Sequence, residues 1–434
     1  MDRHLGSDMY GNGVRVHTTL DPVLQRAAEE ALHDQLLRIE SGEYGAFQGP
    51  RYDPDQPPAA EGSPYLQGAV VVLDAETGAV LALVGGRNIR HSAFDRVFNA
   101  RRQVGSAFKP FVYGAAVADG IPPSHLLQDT PLTLDVPRAP TYEPTNFDNE
   151  FHGAITARQA LQDSRNIPAV RLAQEVGTDV VAEFARQTGL VAEIPVSPSM
   201  ALGTVALSPM ELATAYATLA GLGRSVEPHI VRRVESTGGA SLWAPSRAPD
   251  SEFRVEPGVA YVLNDMLQDV IDGGTGSAVR AEGFRGTAAG KTGTTQESAD
   301  VWFVGYTPEL VGVVWIGFDQ PAPILPDATG GGLAAPVWGR MMARAGRSGG
   351  GWDPPEGVAR LPYDPATGRA VASDCDGASR APTDLFLGSH VNPTCPENLM
   401  GADTARFVPD ETADPDTTNA APADLLPQSS PDSQ

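Results

Sequence analysis

The spacing of apolar residues changes from strand-like to helix-like and back again along this chain. Residues 13–20 alternate between apolar and polar positions and predict a strand. Asp21 and Pro22 then supply the N-cap and the first-turn proline of a helix that reaches about Glu40. One face of this helix is predicted to be apolar and is formed by Val23, Leu24, Ala27, Ala28, Ala31, Leu32 and Leu36. Residues 41–66 are rich in Gly, Pro and acidic residues and predict a loop.

Two further sets of elements make up the middle of the chain. Short apolar runs bounded by turn residues predict strands at 69–73, 79–84, 290–295, 301–306 and 310–318. Helical spacing between the second and third of these predicts helices at 106–118, 157–162, 168–175, 180–187, 209–220 and 257–269. Strands on both sides of a helical insert indicate an α+β domain whose sheet is assembled from distant parts of the chain.

The sequence divides into four predicted parts. Residues 1–66 are expected to be an interdomain linker region with one strand and one helix, and residues 67–345 the main domain. Residues 346–400 are a C-terminal extension, and residues 401–434 are a disordered, acidic and proline-rich tail. Cys375 and Cys395 lie in the extension. They could form a disulfide in an oxidising compartment, and two unrelated thiols are the alternative.

The composition bears on partners and on compartment. The chain has 434 residues, of which 41% are hydrophobic, enough for a sizeable core. A net charge of −23 argues against nucleic acid or an anionic membrane surface as the main partner, because both are negatively charged. No apolar run approaches the roughly 18 to 20 residues that cross a bilayer, and residues 1–12 hold no apolar signal core, so we expect a soluble chain. No Cys/His spacing typical of a metal site occurs.

Only two of the 31 basic residues are lysines, and each lies in a short motif. Ser106 and Lys109 form an S-x-x-K, Ser164 and Asn166 form an S-x-N, and Lys291 opens a K-T-G. Arginine does not give up its proton, so lysines retained in an arginine-rich chain are expected where a guanidinium cannot act. The order of the three motifs is that of the penicillin-interacting serine enzymes.

The first two motifs suggest an activated serine nucleophile. A serine hydroxyl reacts poorly until a base takes its proton, and Lys109 follows Ser106 by three positions at a helix start, on the same face. Burial, the helix N-terminus and a second cation would favour a neutral amine, which makes Lys109 the candidate general base. Ser164 could relay a proton to the leaving nitrogen, and Asn166 could orient Lys109 and bind a substrate amide.

The third motif suggests a binding edge for the substrate. Lys291 is expected to keep its proton and to hold a substrate carboxylate, to which Thr292 and Thr294 donate hydrogen bonds. Gly293 is expected to leave room for substrate close to the backbone. The backbone N–H groups of Ser106 and Thr294 are the expected oxyanion hole.

Around these motifs the chain resembles the transpeptidase half of the class A penicillin-binding proteins, over roughly residues 10–400. The segments that carry the resemblance are 16–22 (VHTTLDP), 105–110 (GSAFKP), 290–295 (GKTGTT), 300–306 (DVWFVGY) and 364–368 (DPATG). The resemblance implies an α+β, β-lactamase-like fold for residues 67–345, in which an antiparallel sheet of about five strands is flanked by helices and an all-helical subdomain.

The same resemblance implies a serine D,D-transpeptidase that cross-links peptidoglycan outside the cytoplasm, in the periplasm or at the outer face of the cytoplasmic membrane. Ser106 would attack the D-Ala-D-Ala bond of a stem peptide, and an amine from a neighbouring stem would resolve the acyl-enzyme. β-Lactams would acylate Ser106. No cofactor or metal is expected.

Two features depart from the family pattern. Arg165 occupies the middle of the S-x-N motif, where many relatives carry Asp. The membrane anchor and glycosyltransferase domain of the bifunctional proteins are absent from the sequence given. We therefore expect a truncated chain, a gene fragment or a split protein, and a separate glycosyltransferase domain or partner would have to polymerise glycan.

Two other kinds of function stay open at this point. A D,D-carboxypeptidase or β-lactamase would resolve the acyl-enzyme with water. A β-lactamase of this type needs a deacylating glutamate in an E-x-x-L-N loop, and Glu211, which precedes Leu-Ala-Thr-Ala, does not fit. A non-catalytic β-lactam sensor or cell-wall scaffold would use the pocket only to bind.

Overall fold

The computed structural model of the protein describes residues 13–57, 62–135, 141–244, 252–346, 350–396 and 399. Within these residues the strands are β1 (Val14–Thr18), β2 (Gln67–Asp74), β3 (Val80–Val84), β4 (Arg102–Gln103), β5 (Leu126–Asp129), β6 (Gly153–Thr156), β7 (Ala206–Leu207), β8 (Val231–Ser236), β9 (Ser241–Trp243), β10 (Ala289–Thr294), β11 (Asp300–Tyr306), β12 (Leu310–Gly317), β13 (Val358–Pro362) and β14 (Thr383–Leu387). The α-helices are α1 (Pro22–Ser41), α2 (Arg96–Asn99), α3 (Lys109–Ala118), α4 (Ala157–Gln162), α5 (Asn166–Val176), α6 (Thr178–Gln187), α7 (Pro209–Ala220), α8 (Pro257–Asp272), α9 (Ala278–Ala281) and α10 (Ala335–Arg344). Shorter 3₁₀ turns lie at Gly105–Phe108, Pro198–Leu202, Gln296–Ser298, Ala378–Arg380 and Gly388–His390, and a π-helical turn lies at Gly330–Ala334.

Five antiparallel strands form the central sheet, in the order β10, β11, β12, β2 and β3. Its long apolar runs are buried on both faces, because successive side chains of a strand point to opposite sides. In β12, Val313 and Trp315 belong to one hydrophobic core, whereas Val314 and Ile316 belong to the other. The predicted α+β class, with a sheet of five antiparallel strands between helices, is therefore confirmed.

The helix α1 covers one face of this sheet. The Asp21 side chain accepts hydrogen bonds from the backbone N–H groups of Val23 and Leu24, and Gly42 closes the helix in the left-handed conformation. Of the seven predicted core residues, six are buried and Val23 is 53% exposed. Val23 lies about 100° around the helix from Leu24, outside the apolar stripe. The prediction that Val23 lies on the buried face was therefore wrong.

The helical subdomain lies on the other face of the sheet. Its core joins α3, α5, α6, α7 and α8, and α3 is buried on all sides. The ring of Tyr216 on α7 meets that of Phe111 on α3 edge to face at 5.7 Å, and its hydroxyl donates to the Ala107 carbonyl over 2.7 Å. Tyr216 thus ties α7 to the turn that precedes α3. Across the described segments, no helix has both the length and the apolar content of a membrane span.

The C-terminal extension packs against the helical subdomain. β13 pairs with β14, and Leu387 of β14 joins the helical core. Ahead of β13, Trp352 donates from Nε1 to the Ala220 carbonyl over 2.8 Å. A disulfide joins Cys375 and Cys395, whose Cα atoms lie 5.5 Å apart.

The N-terminal region also contacts later parts of the chain. β1 pairs with β8, and α1 packs against α10 as well as the sheet. The divisions proposed at residues 66 and 345 stay predictions. The tail predicted to be disordered, residues 401–434, lies outside the described residues.

Candidate active site

The turn that carries Ser106 is held close to the edge of β10 by two glycines. Gly105 has a φ of +55°, and a Cβ there would lie 2.3 Å from the Thr294 carbonyl oxygen. A Cβ on Gly293 would lie 2.4 Å from the Val104 carbonyl oxygen. The side of Gly293 on which a Cβ would lie is therefore filled by protein, whereas the expected role of this glycine was to leave room for a substrate. The glycine instead allows the nucleophile turn and the strand edge to meet.

Ser106 is half-buried and lines a cleft of about 830 Å³. The wall of this cleft includes residues from all three motifs, from the loop before β6 and from the π-helical turn, among them Ser106, Phe147, Asn166, Thr292, Thr294 and Gly331. The three motifs, which are far apart in sequence, thus meet at one opening.

Two buried lysines converge on the hydroxyl of Ser164. Lys109 Nζ donates to Asn166 Oδ1 over 2.7 Å, to the Ser164 carbonyl, and to Ser164 Oγ over 3.3 Å. Lys291 Nζ donates to Ser164 Oγ over 2.8 Å, and to the carbonyl and hydroxyl of Thr292 over 3.2 Å each. Both lysine side chains are fully buried. Ser164, whose φ is +56°, lies between them.

Burial changes the protonation of both lysines. It lowers the pKa of Lys109 well below its usual value, and the positive charges of Lys291 and Arg165 lower it further. Burial alone lowers the pKa of Lys291 to about 7. The lowered pKa of Lys109 favours the neutral amine that a general base requires, as predicted from the sequence. The expectation that Lys291 keeps its proton holds only in part, because this pKa leaves the free amine about half protonated at pH 7.

β10 is an edge strand of the sheet, and the N–H of Thr294 lies on its unpaired side. Thr294 lies opposite Val301, and the next residue, Thr295, donates its N–H to the Asp300 carbonyl over 3.1 Å. Hydrogen-bonded and non-hydrogen-bonded pairs alternate along an antiparallel ladder. The N–H of Thr294 therefore points away from β11, on the side where Gly105 approaches. This is the placement that an oxyanion-hole donor needs.

The two threonines of the expected carboxylate site also have protein partners. The Thr292 hydroxyl lies 2.9 Å from that of Thr275, and the Thr294 hydroxyl accepts from the N–H of Gly330 over 3.1 Å. Thr275 and Gly330 were missed in the sequence, because each lies in a glycine-rich loop without a motif. Thr292, which is buried, and Thr294 both belong to the lining of the cleft.

The family comparison agrees with this geometry. The family described as penicillin binding protein transpeptidase domain matches residues 68–343. The chain belongs to this family. A transpeptidase domain of this kind accounts for the three motifs, the sheet and the helical subdomain together.

Several relatives match over much of the transpeptidase chain. Penicillin-binding protein 1A of Neisseria lactamica is 40% identical over 306 residues, which is 68% of this chain and 38% of that protein. Penicillin-binding protein 1A of Pseudomonas aeruginosa is 32% identical over 92% of this chain and 53% of its own length. The chain thus spans about 40% to half of the length of these two curated relatives.

Solved structures show the same transpeptidase fold. Penicillin-binding protein 1A from Haemophilus influenzae aligns with a TM-score of 0.80 over 91% of this chain and 75% of its own, at 23% identity. PonA1 from Mycobacterium tuberculosis aligns with a TM-score of 0.65 at 30% identity, over 81% of this chain and 91% of its own.

Two side-chain clusters in the described part of the transpeptidase chain have the composition of metal sites. In one, the Asp148 carboxylate, which lies near Glu150 and His152, already pairs with Arg165. In the other, Cys375 and Cys395 are joined in the disulfide and are not free thiolates. The absence of a metal or cofactor stays a prediction.

Proposed function

We propose that this chain is a serine D,D-transpeptidase that cross-links peptidoglycan stem peptides through an acyl-enzyme on Ser106. The observation that carries the proposal is the pair of buried lysines, Lys109 and Lys291, which share the Ser164 hydroxyl beside the cleft that Ser106 lines. One amine is suited to take a proton, and the other is suited to hold an anion.

Lys109 is arranged to use its lone pair. A neutral amine has two N–H groups, and the Ser164 carbonyl and Asn166 Oδ1 are close enough to accept both. The lone pair is then left for the proton of Ser106. Ser106 Oγ attacks the carbonyl of the D-Ala-D-Ala bond, and its proton moves to Lys109 as the new bond forms.

The remaining motif residues serve the tetrahedral intermediate and the leaving group. The N–H groups of Ser106 and Thr294 bind the oxyanion. Ser164 passes the proton from Lys109 to the amine of the departing D-Ala. Lys291 and Thr292 hold the terminal carboxylate of the donor. An amine from a second stem peptide then attacks the ester. Lys109 takes a proton from this amine and returns it to the Ser106 oxygen as the ester bond breaks.

Hydrolysis of the acyl-enzyme is the rival outcome, by a D,D-carboxypeptidase or a β-lactamase. Glu211, the acid weighed as a deacylating residue, forms a capping box with Ser208 at the start of α7 and pairs with Arg101. Its carboxylate is thus used to stabilise a helix end, which disfavours a role in β-lactam hydrolysis. A non-catalytic sensor is the other rival, and the buried lysine pair disfavours it, because binding alone does not require a neutral base.

The compartment and partners follow from this reaction. Peptidoglycan is assembled outside the cytoplasm, so we propose that the chain acts there, in the periplasm or at the outer face of the cytoplasmic membrane. Its partners are donor stem peptides, acceptor amines and a membrane-bound glycosyltransferase domain or protein that supplies the glycan. PonA1 has been solved in complex with penicillin V, which supports acylation of Ser106 by β-lactams in this chain.

Covalent labelling by a fluorescent penicillin tests the proposal. We expect the wild type and the control Ser277→Ala, a serine in the cleft wall, to be labelled, and Ser106→Ala to remain unlabelled. Label on Ser106→Ala would refute the assignment. Release of label from the wild type within seconds would favour a β-lactamase. With a stem pentapeptide and a labelled D-amino acid, exchange of the terminal D-Ala supports transpeptidation, and hydrolysis alone supports a carboxypeptidase.

A further inference from the structure

Arg165, the middle residue of the S-x-N motif, is buried, and each of its three guanidinium nitrogens contacts the protein. Only 5% of its side chain is exposed. Its Nε donates to Asp129 Oδ2 over 2.9 Å, its Nη1 donates to Asp148 Oδ2 over 2.5 Å, and its Nη2 donates to the Glu150 carbonyl. Every guanidinium nitrogen thus makes one hydrogen bond within the protein, and the residue also belongs to the wall of the cleft.

The loop 145–150, to which Arg165 donates hydrogen bonds at Asp148 and Glu150, also caps α5. Residue 165 is at the N-cap position, where an arginine offers no side-chain acceptor to the first amides of the helix. Asn146 supplies the acceptor from the loop, because its Oδ1 accepts from the N–H groups of Asn166 over 2.9 Å and Ile167 over 3.2 Å. Its Nδ2 donates to Asp129 Oδ1 over 2.7 Å. The buried Asp129 carboxylate therefore joins the arginine and the cap into one unit.

A contact with the same loop fixes which end of the Asn166 amide faces Lys109. Asn166 Nδ2 donates to the carbonyl of Thr145, the residue before the cap, over 2.9 Å. Asn166 Oδ1 accepts from Lys109 over 2.7 Å. A flipped amide would set its oxygen against the Thr145 carbonyl, and its NH₂ group would donate to the Lys109 lone pair that is needed for the proton of Ser106. The loop thus fixes the acceptor that the lysine meets.

We propose that Arg165 is a positioning residue that holds the loop 145–150 against the second motif and so fixes Asn166 relative to Lys109. The inference rests on the proposed function, in which Lys109 takes the proton of Ser106. A lysine would not replace this arginine, because its single ammonium group lacks the planar fork that reaches three acceptors in different directions.

The acylation kinetics of Arg165→Lys test the inference. Rapid mixing with a fluorescent penicillin separates the dissociation constant of the first complex from the rate constant of acylation, and the burst amplitude gives the fraction of active protein. We expect the acylation rate constant to fall about ten-fold or more, while the dissociation constant changes less than about three-fold. A merely structural role would lower the burst amplitude and leave the rate constant of the active molecules unchanged. That result would overturn the inference.

Asp148→Asn is the second variant, and it decides the matter if Arg165→Lys does not fold. The Asp148 side chain is 42% exposed, and buried Arg165 keeps its ion pair with Asp129 when Asp148 is replaced, so no buried charge is left without a partner. We expect the acylation rate constant to fall about three-fold, because one charge-assisted contact to the loop is weakened. An unchanged rate constant in the folded variants would overturn the inference.

Arg171→Lys is the matched control. This arginine lies on the same helix and donates to the Thr130 carbonyl and hydroxyl and to the Pro131 carbonyl, and these partners belong neither to the loop 145–150 nor to a motif. Both constants should stay at wild-type values. Failure of the wild type to be acylated at Ser106 would refute the proposed function itself. Wild-type acylation with an unaffected Arg165→Lys would overturn only the role given to Arg165.

Discussion

Replacing Lys291 by methionine should stabilise the fold while it weakens the binding of anionic substrates. The amine of Lys291 is fully buried, and burial lowers its pKa from 10.5 to about 7. In the unfolded chain the same amine stays protonated up to about pH 10. The folded state therefore disfavours the charged form, and the penalty is largest below pH 7, shrinks as pH rises above 7 and is nearly gone at pH 10.5.

The size of the effect follows from these pKa values. At pH 7 the penalty is about 4 kcal/mol in the free energy of unfolding. Methionine has a similar length and no charge, but the variant loses the hydrogen bonds to Ser164 and Thr292, which offsets about 1 to 2 kcal/mol. A net gain of about 2 to 3 kcal/mol, with an unfolding entropy near 0.9 kcal/mol per kelvin, raises the Tm by roughly 2 to 3 °C.

Calorimetric unfolding of the wild type and Lys291→Met at pH 7, 8.5 and 10.5 measures this effect. The variant should have the higher Tm at pH 7, and the difference should disappear or reverse at pH 10.5, where the wild-type lysine is neutral in the folded state and about half protonated in the unfolded state. Arg186→Met, which alters an exposed ion pair on α6, is the control and should give no such pH dependence. A Tm difference that is constant from pH 7 to 10.5 would refute the reasoning, as would a less stable variant at pH 7.

Three further predictions concern the base and the extension. Lys109→Arg should lower acylation by a fluorescent penicillin at least about 100-fold, because arginine keeps its proton; labelling at the wild-type rate would contradict the role of base. The lowered pKa of Lys109 predicts that the acylation rate constant is maintained at neutral pH and falls on acidification, and a titration of the rate that is centred near pH 10 would contradict it. Arg158→Met should lower the Tm by roughly 3 °C, because about 3 kcal/mol is lost when the carboxylate of Asp384, 4% exposed, loses its partner. Calorimetry against Arg186→Met measures this, and an equal Tm in both variants would show that the extension is not held by this contact.

The sheet could be predicted where local pattern alone determines a strand. The runs that became β10, β11 and β12 are apolar and bounded by turn residues, and each forms a strand within a residue or two of its predicted limits. The pairing of β12 with β2, which sets Val313 opposite Val71, could not be predicted in this way. It joins segments separated by the whole helical subdomain, and packing on both faces selects it.

The site could be predicted as far as its motifs reach. Ser106, Lys109, Ser164 and Lys291 each lie in a short pattern whose spacing reflects one turn or one strand. The supporting contacts have no such pattern. Asn146 caps a helix that begins 20 residues later, and its loop is polar and aperiodic. Such a tertiary cap exists only once the loop is folded, so no local rule locates it.

The contact of both lysines with one hydroxyl decides where positive charge can reside in the proposed reaction. Ser164 Oγ lies 2.8 Å from Lys291 Nζ and 3.3 Å from Lys109 Nζ, and two ammonium groups so close in a buried site repel each other. The charge of Lys291 accordingly lowers the pKa of Lys109. A donor carboxylate beside Lys291 would raise the pKa of Lys291 and hold the proton there. The same proton then keeps Lys109 neutral, so the anionic end of the substrate prepares the base that activates Ser106. A penicillin carries a carboxylate as well, and it would prepare the site for its own attack in the same way.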